Sequence, residues 1–69
     1  MTYIIKLDNH PKRGIVPLHE EIIRNYPHTF GQFTTSSIYE KGDLVTRIEA
    51  SKTWGPEIEQ YCRNHGYIQ

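Results

Sequence analysis

Four histidines and one cysteine are the side chains of this 69-residue sequence best suited to metal binding or nucleophilic chemistry. His10, His19 and His28 recur at intervals of nine residues, and Cys62 precedes His65 by three positions. Structural zinc sites usually present close Cys or His pairs on two separate arms, and this spacing does not supply them. We therefore interpret the five side chains as ordinary loop, helix and core residues and predict no metal or cofactor; a metal site is the less favoured alternative.

Cys62 is also a poor candidate for a catalytic nucleophile. It falls in the last turns of a predicted helix, whereas the N-terminal end of a helix is the end that lowers a thiol pKa. No residue in the sequence is placed to orient His65 as a general base. Carboxylate pairs occur only as near neighbours, Glu20 with Glu21 and Glu57 with Glu59, on predicted helices where they do not face one another as an acid–base couple would. We predict that the protein is not an enzyme, with a metal- or Cys-dependent enzyme as the remote alternative.

The basic residues allow a nucleic-acid hypothesis. Lys12 and Arg13 precede Gly14 in a polar loop, but the glycines and the hydroxyl residue of a phosphate-binding loop are absent. Lys6 and Arg47 would extend a basic patch if they share a sheet face with this loop. The chain contains eight Lys and Arg against eight Asp and Glu, so it carries no polybasic arm. Nucleic-acid binding through these four side chains is therefore the alternative function.

Length and composition predict one small globular domain over residues 1–69. Hydrophobic residues make up 36% of the chain and charged residues 23%, which excludes a disordered composition. The single cysteine cannot form an intramolecular disulfide, which is typical of a reducing compartment. No apolar run approaches the ~20 residues of a membrane span, and the N-terminal segment lacks the pattern of a signal peptide. We expect a cytoplasmic protein.

Residues 33–50 predict a β-hairpin around which the fold is organised. Two runs of strand-favouring residues flank the polar segment 40–43, in which Lys41-Gly42 would form a two-residue turn. That turn sets the expected cross-strand pairs, which are Tyr39 with Leu44, Ser37 with Thr46, Thr35 with Ile48, and Phe33 with Ala50. Their shared face holds most of the large apolar residues and is the predicted core side, although a one-residue slip would exchange the two faces.

One helix is predicted before the hairpin in the sequence and one after it. Pro17 suits the first position of the first helix, with Glu20 and Glu21 in its first turn, and Pro27 ends it. In the second helix, Ser51 or Thr53 would cap the N-terminus, Pro56 fits the first turn and Gly66 is the left-handed stop. Residues 2–7 form a strand, which gives the order β-α-β-β-α. The expected fold is α/β (α+β), a three-stranded sheet with residues 44–50 as central strand and both helices on one face.

The sheet face opposite the helices carries the predicted binding site. Ile38 and Val45 would be cross-strand neighbours there, with Thr34, Ser36 and Arg47 around them. An apolar pair beside an Arg on an uncovered sheet is typical of the centre of a protein interface. The competing interpretation is an ordinary surface, because isolated exposed apolar residues are common.

We therefore predict a non-enzymatic protein-binding module that acts as a regulator, inhibitor or adaptor of a larger protein partner. A homodimer is possible, because the Thr- and Ser-rich edge strand could add to another sheet. So short a chain is expected to have little room for a pocket of ~300 Å³ or more. A phage or plasmid origin is an expectation from size alone, because many free-standing small α/β domains are encoded there.

Overall fold

A computed structural model describes residues 2–69 and confirms the predicted order of elements. The elements are β1 (Thr2–Leu7), α1 (Ile15–Asn25), a short 3₁₀ turn (Pro27–Thr29), β2 (Phe33–Glu40), β3 (Asp43–Ser51) and α2 (Gly55–Asn64). Together they form a small α+β domain with one three-stranded sheet and two helices. In the part of the chain that the structure describes, neither helix is long and apolar enough to cross a membrane.

The sheet has the strand order β1-β3-β2, and both pairs of neighbours are antiparallel. This confirms that β3 is central and that β2 is an edge. The predicted hairpin register is also confirmed, from Phe33 opposite Ala50 to Tyr39 opposite Leu44. Lys41 and Gly42 both have positive φ, 51° and 86°, as a type I′ turn requires. That turn twists in the same sense as the strands. Because it contains only two residues, it also fixes which residues of β2 and β3 lie opposite one another.

The start of α1 differs from the prediction. The helix begins at Ile15, two residues before Pro17, and Gly14 precedes it at a φ of 95°. Glu20 and Glu21 consequently lie beyond the first turn. A proline is tolerated throughout the first turn, because none of the N–H groups there has a helical acceptor, so Pro17 could not identify the first residue. The helix ends at Asn25, immediately before Tyr26-Pro27, as predicted.

The predictions for Pro56 and Gly66 at the two ends of α2 are confirmed, but the predicted N-terminal cap is wrong. Pro56 is the second residue of the helix, and Gly66 adopts a φ of 83° just beyond its end. The N–H of Tyr67 donates to the carbonyl of Cys62 at 2.9 Å, and that of Gly66 donates to Arg63 at 3.2 Å. These two bonds make a Schellman cap. Neither Ser51 nor Thr53 caps the N-terminus of α2, because Trp54 occupies the N-cap position; Ser51 accepts a 3.4 Å hydrogen bond from the N–H of Trp54 before the helix begins.

The hydrophobic core lies between the two helices and one face of the sheet. Helix α1 packs on β2, whereas α2 packs on β1 and β3. The apolar residues that are almost fully buried come from strands and helices alike: Ile5, Leu18, Ile22, Ile48, Ile58 and Cys62. Thr46 is buried on the same side of the sheet, where its hydroxyl lies 2.6 Å from Nδ1 of His10 and 3.3 Å from Oγ of Ser37.

Two isoleucines of the hairpin allow a direct test of which face is buried. We expect Ile48→Asp to unfold the domain, because an unpaired carboxylate in the core costs several kcal/mol and a domain of this size has roughly 3–5 kcal/mol in total. Ile38→Asp should leave the fold intact, because that side chain is exposed on the opposite face. Circular dichroism and urea titration of both variants measure the difference. A folded Ile48→Asp beside an unfolded Ile38→Asp would show the faces reversed.

Candidate protein-binding surface

The sheet face turned away from both helices is a continuous surface across all three strands, here called the open face. The alternation of side chains along the strands assigns it the residues Thr2, Ile4, Lys6, Thr34, Ser36, Ile38, Val45, Arg47 and Glu49. Ile4 is 56% exposed and Ile38 is 46% exposed, so two large aliphatic side chains meet solvent there.

The open face brings together the five residues that the sequence predicted as a binding site. Thr34 lies opposite Glu49, Ser36 opposite Arg47, and Ile38 opposite Val45. On the open face these three pairs form three successive rows across β2 and β3; the pairs between them point to the other face. Whether they bind a partner remains a prediction, but they form one patch.

Val45 contributes less surface than expected, since it is only 9% exposed although no helix covers it. A guanidinium nitrogen of Arg47 lies 3.2 Å from a carboxylate oxygen of Glu40, two rows further along the hairpin. The row between them holds Ile38 and Val45. The Arg47–Glu40 ion pair therefore crosses this apolar row diagonally, between the rows on either side of Val45.

Ile4 is the apolar residue of the open face that sequence reasoning missed. It lies opposite Glu49 on the β1 side of the sheet, one row away from Lys6, which lies opposite Arg47. Alternation along β1 already grouped Ile4 with Lys6. Only the β1–β3 register, however, shows that this group shares a face with Ile38, and the register depends on long-range pairing.

The four basic residues of the nucleic-acid hypothesis separate into two groups. Lys6 and Arg47 are cross-strand neighbours on the open face. Lys12 and Arg13 belong to the loop between β1 and α1 and line a cleft formed with α1 and the residues after α2. The structure therefore provides two small basic areas and no single four-residue patch.

This cleft overturns the expectation that the chain has little room for a pocket. Its volume is about 810 Å³, and it lies between the loop 9–14, the outer side of α1 and residues 65–67. Its charged lining is mixed and consists of Lys12, Arg13, Glu20, Glu21 and Arg24. It could not be predicted from the sequence, because a cleft between a loop, one side of α1 and the residues after α2 depends on how those elements are placed relative to one another.

The four histidines are dispersed over the molecule. His19 stacks on Phe33 with ring centroids 4.4 Å apart, and His65 stacks on Tyr61 at 4.2 Å. Nε2 of His28 lies 3.0 Å from a carboxylate oxygen of Glu57. Within residues 2–69, no three His, Cys, Asp or Glu side chains come close enough together to hold a metal ion.

Cys62 lies in the third-last position of α2 and is completely buried. Burial in the core, with a smaller contribution from the nearby Glu59 carboxylate, raises the pKa of this thiol to about 12. A thiol with so high a pKa is protonated near neutral pH and is a weak nucleophile. The geometry is that of a core residue.

Comparison of the chain with family models, with curated proteins and with solved structures finds no match. The surfaces described above are therefore the basis for a functional assignment. Among them the open face exposes two isoleucines, Ile4 and Ile38, on regular strands.

The raised pKa of Cys62 predicts a loss of stability at alkaline pH. The folded protein holds the thiol proton more tightly than the unfolded chain, whose Cys pKa is near 9. This stabilisation is therefore fully present below pH 9 and is lost as the pH rises towards 12. Between pH 9 and 10 we expect Cys62 to lower the free energy of unfolding by roughly 1 kcal/mol.

Urea titrations at pH 8, 9 and 10 measure this change, with Cys62→Ala as the matched variant. The variant should be less stable throughout, because it leaves a cavity, but should lose less stability between pH 9 and 10. Equal pH slopes in the two proteins would contradict the assignment of a buried, protonated thiol.

Proposed function

We propose that this chain is a non-enzymatic protein-binding module that engages a larger protein partner through the open face. By occupying the partner it would act as a regulator, inhibitor or adaptor. The observation that carries the proposal is the complete sheet face left uncovered by α1 and α2, with Ile4 and Ile38 exposed on it.

The pattern of side chains on the open face supports a protein partner. Ile4 and Ile38 lie on the two edge strands, and Arg47 and Glu49 of the central strand lie between them, so the face combines aliphatic side chains with charges of both signs. Protein interfaces commonly combine apolar contacts with polar and charged groups, among which Arg is enriched. A surface of mixed charge is poorly suited to the uniformly negative backbone of a nucleic acid.

The Arg47–Glu40 ion pair adds a condition for binding. It crosses the Ile38–Val45 row, so a partner that packs on this row has to displace Arg47 or hydrogen-bond to it in place. Breaking an exposed ion pair costs little, about 0–1 kcal/mol, so the displacement is compatible with ordinary affinities. Lys6 has no ion-pair partner among residues 2–69 and is available for a carboxylate of the partner.

Two single substitutions on different strands test the proposal. We expect Ile38→Asp and Ile4→Asp each to weaken partner binding at least about tenfold, because a carboxylate would be desolvated within the interface. Thr53→Asp, which adds the same charge in an exposed turn outside the open face, should bind like the unmodified protein.

The measurement begins with tagged protein incubated in lysate of the source organism or its host, with and without nuclease. The protein that co-elutes is identified, and its affinity for each variant is measured with purified components. A partner that binds both open-face variants as tightly as the unmodified protein would place the interface elsewhere. Co-elution that is lost on nuclease treatment would contradict a direct protein complex.

One observation favours the alternative of nucleic-acid binding. Three cations of the cleft, Lys12, Arg13 and Arg24, have no ion-pair partner within the described residues 2–69. For this alternative, affinity for a short duplex should fall steeply with salt. Lys12→Ala and Arg13→Ala should each reduce the salt slope by about one, whereas Lys6→Ala on the opposite side should not. A mobility-shift titration that detects no complex at low ionic strength would remove this alternative.

A further inference from the structure

The outer side of β2 is an open sheet edge. Strand β2 pairs with β3 along its whole length, from Phe33 to Glu40, and no element within residues 2–69 pairs with its other side. All of its residues except Phe33 and Thr35 are exposed. A sheet edge of this kind presents unpaired N–H and C=O groups to any second strand.

The register identifies which backbone groups are free. In a hairpin with a two-residue turn, the flanking residues Glu40 and Asp43 form a hydrogen-bonded pair, and such pairs then recur at every second residue. The N–H of Ser51 donates to the carbonyl of Gln32 at 3.0 Å, which agrees with this alternation. The even-numbered residues of β2 therefore bond to β3. The outward-facing groups belong to Phe33, Thr35, Ser37 and Tyr39.

Features that usually protect an edge are missing from β2. The strand contains no proline and no lysine, and its pairing with β3 runs without a bulge. Its only charge is Glu40 at the last position. The other edge, β1, carries Lys6 within its six residues. Addition of a further strand is therefore favoured at the β2 edge over the β1 edge.

We propose that the β2 edge pairs antiparallel with the β2 edge of a second copy of this chain, joining two three-stranded sheets into one continuous sheet. The dimer axis would pass beside Ser36. This inference goes beyond the proposed function and does not depend on it, because it uses the strand edge and leaves both open faces exposed.

The outward-facing groups restrict the register of such a pair. Only odd-numbered residues can exchange hydrogen bonds with the second copy, so a symmetric pair must place odd residues opposite odd residues. A two-fold axis beside Ser36 meets this requirement and aligns Phe33 with Tyr39 of the other copy and Thr35 with its Ser37. On the open face, Thr34 would lie opposite Ile38 of the second copy. Aromatic pairs and pairs that include a β-branched residue are among the favourable cross-strand combinations.

Two large aromatic side chains at opposite ends of β2 favour a second copy as the occupant. Tyr39, near the hairpin turn, is 77% exposed, and Phe30, just before the strand begins, is 72% exposed. A two-fold axis through the middle of the strand brings the Phe30 end of one copy to the Tyr39 end of the other. Both exposed aromatics would then approach apolar surface.

Charge also permits self-association. With eight basic and eight acidic residues the formal net charge is zero, so two copies do not repel one another at long range. In the proposed register the one charged residue of the strand, Glu40, approaches Gln32 of the second copy and no like charge. The contact area of one strand edge is modest, so we expect a reversible dimer with a dissociation constant of about 1–100 μM.

The purified chain tests the proposal by sedimentation equilibrium between about 1 μM and 1 mM, a range that spans the expected dissociation constant. We expect the mass to rise from 8.1 kDa towards twice that value. Hydrogen exchange at the two concentrations supplies the second readout. The amides of Thr35, Ser37 and Tyr39 should become protected only at high concentration, whereas those of Ser36 and Ile38 should be protected at both.

Two variants remove the edge by different means. Ser37→Pro deletes an outward N–H that no strand of the same copy uses, and Tyr39→Lys places a charge on the edge. Both should remain folded, as judged by circular dichroism, and should stay monomeric at 1 mM. Ile4→Asp, on the distant strand β1, is the matched control and should dimerise normally.

The outcomes separate this proposal from the proposed function. A mass of 8.1 kDa at every concentration would overturn the dimer and leave the open-face proposal intact. A dimer that survives both edge variants, or that is lost in Ile4→Asp, would show that the copies meet elsewhere and would also overturn it. Loss of partner binding in Ile4→Asp while the dimer persists would support the two surfaces independently.

Discussion

Strands send alternate side chains to the two faces of a sheet, but α1 and α2, with 11 and 10 residues, pack on one face alone. That constraint governs the rest of the molecule. Ile5 and Ile48 are cross-strand neighbours at the centre of the covered face, and both are almost completely buried. With so little helix available, Ile4 and Ile38 have to remain on the other side. The exposed aliphatic residues are therefore a direct result of chain length and strand alternation.

Local sequence signals were sufficient for the hairpin and for most element ends. The Lys41-Gly42 turn fixed the β2–β3 register, because a two-residue turn with positive φ admits only one pairing of the adjacent residues. Pro27 and Gly66 ended the helices for equally local reasons, one by restricting the residue before it and the other by adopting a left-handed conformation. The start of α1 was misplaced because Pro17 is acceptable anywhere in a first turn.

The cleft and the place of Ile4 escaped prediction because both depend on contacts between distant segments. The cleft beside Lys12 and Arg13 requires a loop, a helix and the residues after α2 to come together. Ile4 joins the open face through the β1–β3 register, whereas the Arg47–Glu40 ion pair beside Val45 forms within the hairpin itself. The five residues predicted for the binding site do form one patch. Their relative exposure followed from neighbours that the hairpin pattern alone does not specify.

The residues after α2 are tied to the loop after β1, and this has a consequence for how the chain reaches its fold during synthesis. The N–H of Gln69 donates to the carboxylate of Asp8 at 2.8 Å, and the carbonyl of Tyr67 accepts from the N–H groups of Asp8 and Asn9. Among the described residues β1 pairs with β3 alone, and β3 begins 36 residues after β1 ends. Contacts of such long sequence separation form slowly, and the bonds to Asp8 and Asn9 form only once residues 67–69 have been synthesised. Strand β1 is therefore made early but takes its place in the domain late, after β3 and the segment that follows α2.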